Sequence, residues 1–431
     1  MIRNSVFTIE RTVLPLLYLS LNSVTSLRCS AARPRPRPIK LKVGSRECSF
    51  HSAALTSTNR PRPVCRSHIQ HKTLNAHYLT STTKVANLLG CFNKEKFKEA
   101  FQLATEDLRG EGLKEVQDAV IQLDKMINYN VFGGKMNRAM VVLGSFNSLA
   151  LPEQLTDKNQ QKAVLLGWCV ELLQACFLVA DDIMDQSTMR RSKPCWYKLD
   201  GVGLAGFNDA FLLYSSIHSI LRNNFRDDPC YMYLVEIFEK VLQQTTVGQS
   251  LDLLTSPTGN TDLTRFTQER YDAIVMWKTG FYSFYMPVAL ALYLVGIYDD
   301  QTHNQAKEIL LKMGHFFQVQ DDYLDCYGDP ATIGKVGTDI EENKCSWLIV
   351  QALALADQRQ KKILEINYGR DDPNKVAVVK DVFKELELES LYRKFERESY
   401  ANIQSDIDNL KTDLPKELFL EYAAKIYQRE K

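Results

Sequence analysis

From about Thr83 onward apolar residues recur at spacings of three and four, separated by short polar stretches, while the every-second-residue alternation of a half-buried strand is hard to find. This pattern predicts helices over Gln161–Asp185, Asn208–Asn224, Tyr231–Leu254, Thr264–Tyr298 and Asn304–Tyr327. The breakers Pro257, Gly259 and Pro330 fall between or just after them. No Pro-, Gly- or Ser-rich linker divides this body, so residues 81–431 read as one all-α domain.

The net charge of +1 hides an asymmetry. Residues 1–80 hold 13 of the 53 Lys and Arg but only two acids, Glu10 and Glu47, which leaves the body near -10. The leader contains the Pro-Arg alternation of Arg33 to Pro38, which cannot form regular hydrogen-bonded structure. Its apolar stretch, Val13 to Leu21, is interrupted by Pro15 and followed by further arginines. That is the composition of a mitochondrial transit peptide rather than a secretory signal, with a cytoplasmic protein the expectation if the leader is not used.

An acidic body argues against a nucleic-acid surface, which needs basic residues to replace counterions. No run of 18 or more consecutive apolar residues occurs, so no membrane span is expected. The ten cysteines form no CxxC pair, and only His218, His303 and His315 lie in the body. Disulfide frameworks, histidine metal sites and Ser-His-Asp triads are therefore poorly supported.

The most specific chemistry lies in two copies of DDxxD: Asp181, Asp182 and Asp185 after the apolar CFLVA, and Asp321, Asp322 and Asp325 before Gly328 and Pro330. Residues four apart share a helix face, so each copy directs two carboxylates the same way with a third alongside. Such a face repels itself, and at a helix C-terminus the macrodipole adds to the repulsion. Hard oxygen ligands without histidine select Mg2+ or Mn2+, which bridge carboxylates to substrate phosphates. One DDxxD alone is more often a solvated acidic turn; two beside apolar segments point to a metal-bound diphosphate. Lys135, Arg138, Arg190, Arg191, Lys278, Lys335 and Lys344 supply cations in an otherwise acidic body. Gly133 and Gly134 would let backbone N–H groups approach a phosphate, although such a pair also marks ordinary turns.

These motifs, with NVFGGKMNR (130–138), RRSKPCWY (190–197), GQSLDLLT (248–255), WKTGFYSFYMP (277–287) and the long segment 314–351, resemble the short-chain trans-isoprenyl diphosphate synthases, and among them the farnesyl diphosphate synthases of animals and fungi. The resemblance covers the body from about residue 90 and not the leader. It implies the isoprenoid synthase fold, a single-domain bundle of antiparallel helices around a central cavity, and a homodimer. It implies condensation of isopentenyl diphosphate with dimethylallyl and then geranyl diphosphate by ionisation, attack and proton loss. Asp181, Asp182, Asp185, Asp252, Asp321, Asp322 and Asp325 would arrange Mg2+ on the allylic diphosphate, held also by Arg190, Lys278 and Lys335. Lys135, Arg138, Gln174 and Arg191 would grip isopentenyl diphosphate, with the tail including Arg429 and Lys431 closing over it. Lys278, Thr279 and Gln318 would stabilise the carbocation.

Chain length would be set by Phe177, one turn before Asp181, and by Cys176, which stands where a second phenylalanine is usual. Farnesyl diphosphate is the expected product, with geranyl diphosphate as intermediate or co-product. Phe132 and Met136 also depart from the usual GGK surroundings. Two other readings remain: a terpene synthase of the same fold, which has no use for the isopentenyl residues present here, and a catalytically silent partner subunit, which would have lost aspartates or cations.

Overall fold

The computed structural model describes Phe97 and residues 114–427, apart from 258 and 330–336. The leader read over 1–80 lies outside the described residues, as do Lys335, Arg429 and Lys431. The described residues belong to one compact unit, Asn75–Lys431, that is helical almost throughout. In order these are α1 (Gln117–Asn130), α2 (Asn137–Leu149), α3 (Asp157–Met184), α4 (Gly206–Phe225), α5 (Tyr231–Thr255), α6 (Gln268–Ile274), a π-helix (Val275–Tyr285) and α7 (Met286–Leu294). They continue with α8 (Asp300–Tyr327), α9 (Trp347–Leu355), α10 (Gln358–Asn367), α11 (Pro373–Glu385), α12 (Leu388–Asp408) and α13 (Lys416–Ile426).

Local chemistry sets several of these starts. Thr156, Asp299, Asp357 and Asp372 each accept a hydrogen bond from a backbone N–H in the first turn of α3, α8, α10 and α11. Such caps satisfy donors that have no intrahelical partner and typically contribute about 1 kcal/mol each.

α3 is the central rod. Leu166, Trp168, Cys169, Val170, Leu172 and Leu173 are fully buried along it, and it packs chiefly on α2 and α4. Phe97 stacks on Trp168 with ring centroids 4.1 Å apart. Burial of each large apolar side chain here stabilises by roughly 1.5–3 kcal/mol. By length and composition α3 could cross a bilayer, yet 78% of its apolar stretch is buried inside the protein. The apolarity is therefore used by the fold itself.

One predicted element is corrected. Thr264–Tyr298 reads as a single helix from its apolar run, but the chain forms α6, the π-helix and α7 in succession. Glycines make room for the wider rod on both sides. A side chain at Gly248 of α5 would collide with the backbone of Trp277 and Lys278, and one at Gly314 of α8 would lie 3.3 Å from the Cα of Gly280. A two-residue ribbon also forms where no strand was expected, pairing Met189 with Pro194 and Arg190 with Lys193. Its turn residues Arg191 and Ser192 have φ of 53° and 59°, the left-handed geometry of tight hairpin turns, at a cost of about 1–2 kcal/mol per non-glycine residue.

Candidate active site

The first aspartate cluster closes α3, with Asp185 as its C-cap. Its members face different partners. Lys278 on the π-helix reaches Asp181 at 3.2 Å and Asp252 of α5 at 2.7 Å, so one ammonium joins three helices. Lys344 pairs with Asp185 at 2.5 Å. Burial alone would raise the Asp181 carboxyl, but Lys278, Lys344 and Arg190 overcome it and hold the group below its usual range. Burial opposes the charge on Lys278, yet Asp252, Asp181 and Asp185 raise its pKa above that of a free lysine.

Asp182 turns the other way. Its Oδ1 accepts from Arg190 Nε at 2.9 Å and Nη2 at 2.6 Å. Burial pushes its pKa upward and Arg190 only partly opposes this. The same arginine lies 3.6 Å from Asp181, so the ribbon delivers its cation to the edge of the cluster.

The second cluster lies in the last turns of α8, which ends at Gly328 as the sequence predicts. Asp322 is buried beneath it. Its Oδ2 accepts from Tyr271 OH at 2.8 Å and from the Trp347 N–H at 2.7 Å, and its Oδ1 accepts from Gln318 Nε2 at 2.9 Å. Burial nevertheless pushes its pKa up to about 7. These contacts tie α8 to α6 and α9, and they differ from the metal contact expected of Asp322. Asp325 receives the backbone N–H of Asp339 at 3.0 Å.

A cleft of about 170 Å³ lies beside the first cluster, lined by Asp185, Asp252, Ser256, Glu341, Asn343 and Lys344 among others. Its acidic oxygens, with the Asp181 Oδ1 that meets the Lys278 ammonium, form a donor set suited to a hard divalent cation. Among the described residues no three acidic, His or Cys side chains enclose an ion by themselves. A substrate oxygen is the natural complement to such a split set, because Mg2+ keeps several non-protein ligands.

The cationic residues gather on the other side of Asp182. Arg190, Arg191, Gly133 and Asn130 line a small cleft of about 30 Å³. Arg191 Nη1 donates to the Asn130 carbonyl at 2.8 Å. The glycine pair makes room for this arginine: a Cβ at Gly134 would lie 2.8 Å from Arg191 Nη2. Burial, with Arg190 and Arg138 nearby, lowers the pKa of Arg191, while Glu171 opposes the shift. Arg138 lies in the first turn of α2 and is held by Tyr282 and Ser283 of the π-helix. Lys135 lies in the turn before α2 and Thr279 follows Lys278 on the π-helix.

Gln174 lies two turns before Asp181, and its Oε1 is buried without a hydrogen-bond partner. Thr245 Oγ1 and Gln249 Nε2 are in the same condition, on the face of α5 that leads to Asp252. Sequence reasoning missed Thr245, Gln249, Glu171, Tyr282 and Ser283. The spacing of Thr245 and Gln249 from Asp252, seven and three residues, could have found those two. Phe177 packs edge-on against Tyr282 with centroids 5.3 Å apart, while Cys176 is 8% exposed within the core.

Residues 120–386 match the polyprenyl synthetase family. The chain is 49% identical over 340 residues to the farnesyl pyrophosphate synthase of Gallus gallus, covering 78% of this chain and 93% of that one. It is 48% identical over 337 residues to the human farnesyl pyrophosphate synthase, covering 78% and 80%. It is 44% identical over 339 residues to the mitochondrial farnesyl pyrophosphate synthase 1 of Arabidopsis thaliana, covering 78% and 88%. Among solved structures, the farnesyl diphosphate synthase of T. brucei complexed with risedronate superposes with a TM-score of 0.71 at 32% identity, covering 78% of this chain and 99% of that one.

Proposed function

The chain belongs to the polyprenyl synthetase family, and from that premise we propose how it works: it condenses isopentenyl diphosphate with allylic diphosphates to give farnesyl diphosphate, using Mg2+ held by carboxylates of both aspartate clusters. The family works with divalent ions; the choice of Mg2+ rests on the oxygen-only donors. The observation that carries the reading is the bridge from Lys278 to Asp181 and Asp252, with Lys344 on Asp185. These ammonium groups already neutralise the carboxylates that a metal and a diphosphate would share.

Asp181, Asp185, Asp252, Asp321 and Asp325 would hold the metal, which supplies charge stabilisation to the departing diphosphate. Asp182 and Asp322 take a supporting part, one fixing Arg190 and the other anchoring α8. Arg190 and Lys278 bind the allylic diphosphate, with Lys335 as a third cation. Lys135, Arg138, Gln174 and Arg191 receive isopentenyl diphosphate. As the allylic C–O bond breaks, dipoles at Lys278, Thr279 and Gln318 face the positive charge. The alkene then forms the new C–C bond, and a proton leaves to the released diphosphate. No side-chain nucleophile is required. Phe177 stands one turn before Asp181, where a growing chain would meet it, with Cys176 behind.

A second copy of the chain is the fitting occupant for one face of α4. Phe207 and Phe211, one turn apart, are 55% and 62% exposed, and Leu204 just before them is 76% exposed. The basic leader, together with the mitochondrial label of the Arabidopsis relative, supports a mitochondrial address.

The test is product analysis of the purified chain with isopentenyl and dimethylallyl diphosphates, with and without Mg2+. Mg2+-dependent C15 alcohol after dephosphorylation is expected. Absence of any condensation would refute the reading.

A further inference from the structure

Arg138 is anchored by a serine from another helix. Its Nε donates to Ser283 Oγ at 3.1 Å and its Nη2 donates to the same oxygen at 2.7 Å. Nη2 also reaches Tyr282 OH at 3.2 Å, and the guanidinium carbon lies 4.7 Å from the centre of that ring. A serine hydroxyl has two acceptor lone pairs, and both serve one edge of one guanidinium here. Ser283 is 3% exposed, so water is poorly placed to take over either bond.

The arrangement is unusual for a helical serine. A serine within a helix commonly turns its hydroxyl back to the carbonyl one turn earlier, as Ser216 does on α4 and Ser250 on α5. Ser283 instead looks outward from the π-helix to α2. With Nε and Nη2 committed, the N–H groups of Nη1 have no hydrogen-bond partner among the described residues, and they are the ones left for an anion. The buried carboxyl of Glu171, which accepts from the Ala139 N–H at 3.1 Å, is the competing partner should the guanidinium turn.

We propose that Ser283 is a positioning residue for isopentenyl diphosphate: its hydroxyl fixes the orientation of Arg138 so that Nη1 faces the diphosphate, from the same π-helix that carries Lys278 and Thr279. Because i→i+5 bonding brings residues five apart onto one face, Ser283 follows Lys278 by one π-turn. The segment that serves the allylic substrate thus also sets the arginine that serves its partner. This inference rests on the assignment of Arg138 made above.

The experiment is steady-state kinetics of the full chain and its Ser283→Ala, Ser283→Thr and Arg138→Gln variants, with geranyl diphosphate saturating and isopentenyl diphosphate varied. Loss of a hydrogen bond to a charged group predicts that S283A raises KM for isopentenyl diphosphate about tenfold. KM for geranyl diphosphate, kcat and Tm should stay near wild type, and S283T, which keeps the oxygen, should restore the KM. A KM for S283A within about twofold of wild type, while R138Q raises it, would overturn the role of Ser283. So would a joint loss of kcat, both KM values and Tm, the signature of a purely structural residue. If R138Q itself leaves that KM unmoved, the assignment of Arg138 fails and this inference falls with it.

Discussion

Replacing Gly248 by alanine should remove most activity while leaving the protein folded. The added Cβ would stand 2.6 Å from the Cα of Lys278, and nearer still to the Lys278 nitrogen and the Trp277 carbonyl carbon. Carbon atoms pack best at about 3.5–4.0 Å, so α5 and the π-helix must part by about 1 Å. The obstructing atoms are backbone, so no rotamer change relieves them. Overpacking of this kind costs about 1–3 kcal/mol. The better helix propensity of alanine returns up to about 1 kcal/mol, which leaves a modest fall in stability. Catalysis should suffer more, because the displaced backbone carries Lys278 away from Asp181 and Asp252. A misplacement of about 1 Å at a reacting centre costs on the order of 100-fold in rate. The assay is kcat for condensation beside a thermal melt. A variant with kcat within about twofold of wild type would refute the close approach of the two helices and the dependence of turnover on it.

Three further outcomes are expected. Asp181→Ala should abolish condensation with little change in melting temperature, and unchanged turnover in an Mg2+ titration would remove Asp181 from the metal set. Phe177→Ala should lengthen the product beyond C15, read by mass spectrometry of the alcohols; an unchanged product would free Phe177 of that role. Asp322→Asn bears on pH. Burial raises the Asp322 pKa from an ordinary carboxyl value to about 7, so the folded state binds the proton more tightly than the unfolded state. That contribution favours folding below pH 4 and is lost as pH rises through about 7. Asparagine cannot titrate, and denaturant unfolding from pH 4 to 7 should therefore show a shallower fall in stability for the variant; parallel slopes would refute the argument.

Much of the bundle was legible because its helices carry long apolar stripes and sharp stops. The reading of Tyr231–Leu254 differs from α5 by one residue at its end. The π-helix was not legible. Only Lys278, Thr279 and Ser283 interrupt the apolar and aromatic residues from Val275 to Tyr285, too few to tell the wider period from one of 3.6. The two DDxxD motifs point to a cation site, yet the motif treats its three acids alike. Only tertiary contacts reveal that Asp322 is closed in by Tyr271, Trp347 and Gln318. The glycine pair has Arg191 as its near neighbour, brought there by a ribbon too short to leave a strand signal.

The π-helix also makes this part of the chain intolerant of changes in length. Each residue of an i→i+5 helix turns through a smaller angle than in an α-helix, so the count of residues fixes where the next side chains point. Deleting one residue ahead of Lys278, at Met276 or Trp277, would let the segment relax into the commoner helix while Lys278 and Ser283 stay five residues apart. Every side chain after the deletion would then swing around the rod, and Lys278 and Ser283 would cease to share a face. Point substitutions on its outer side should be absorbed. A change of register should instead turn the two proposed substrate sites away from each other.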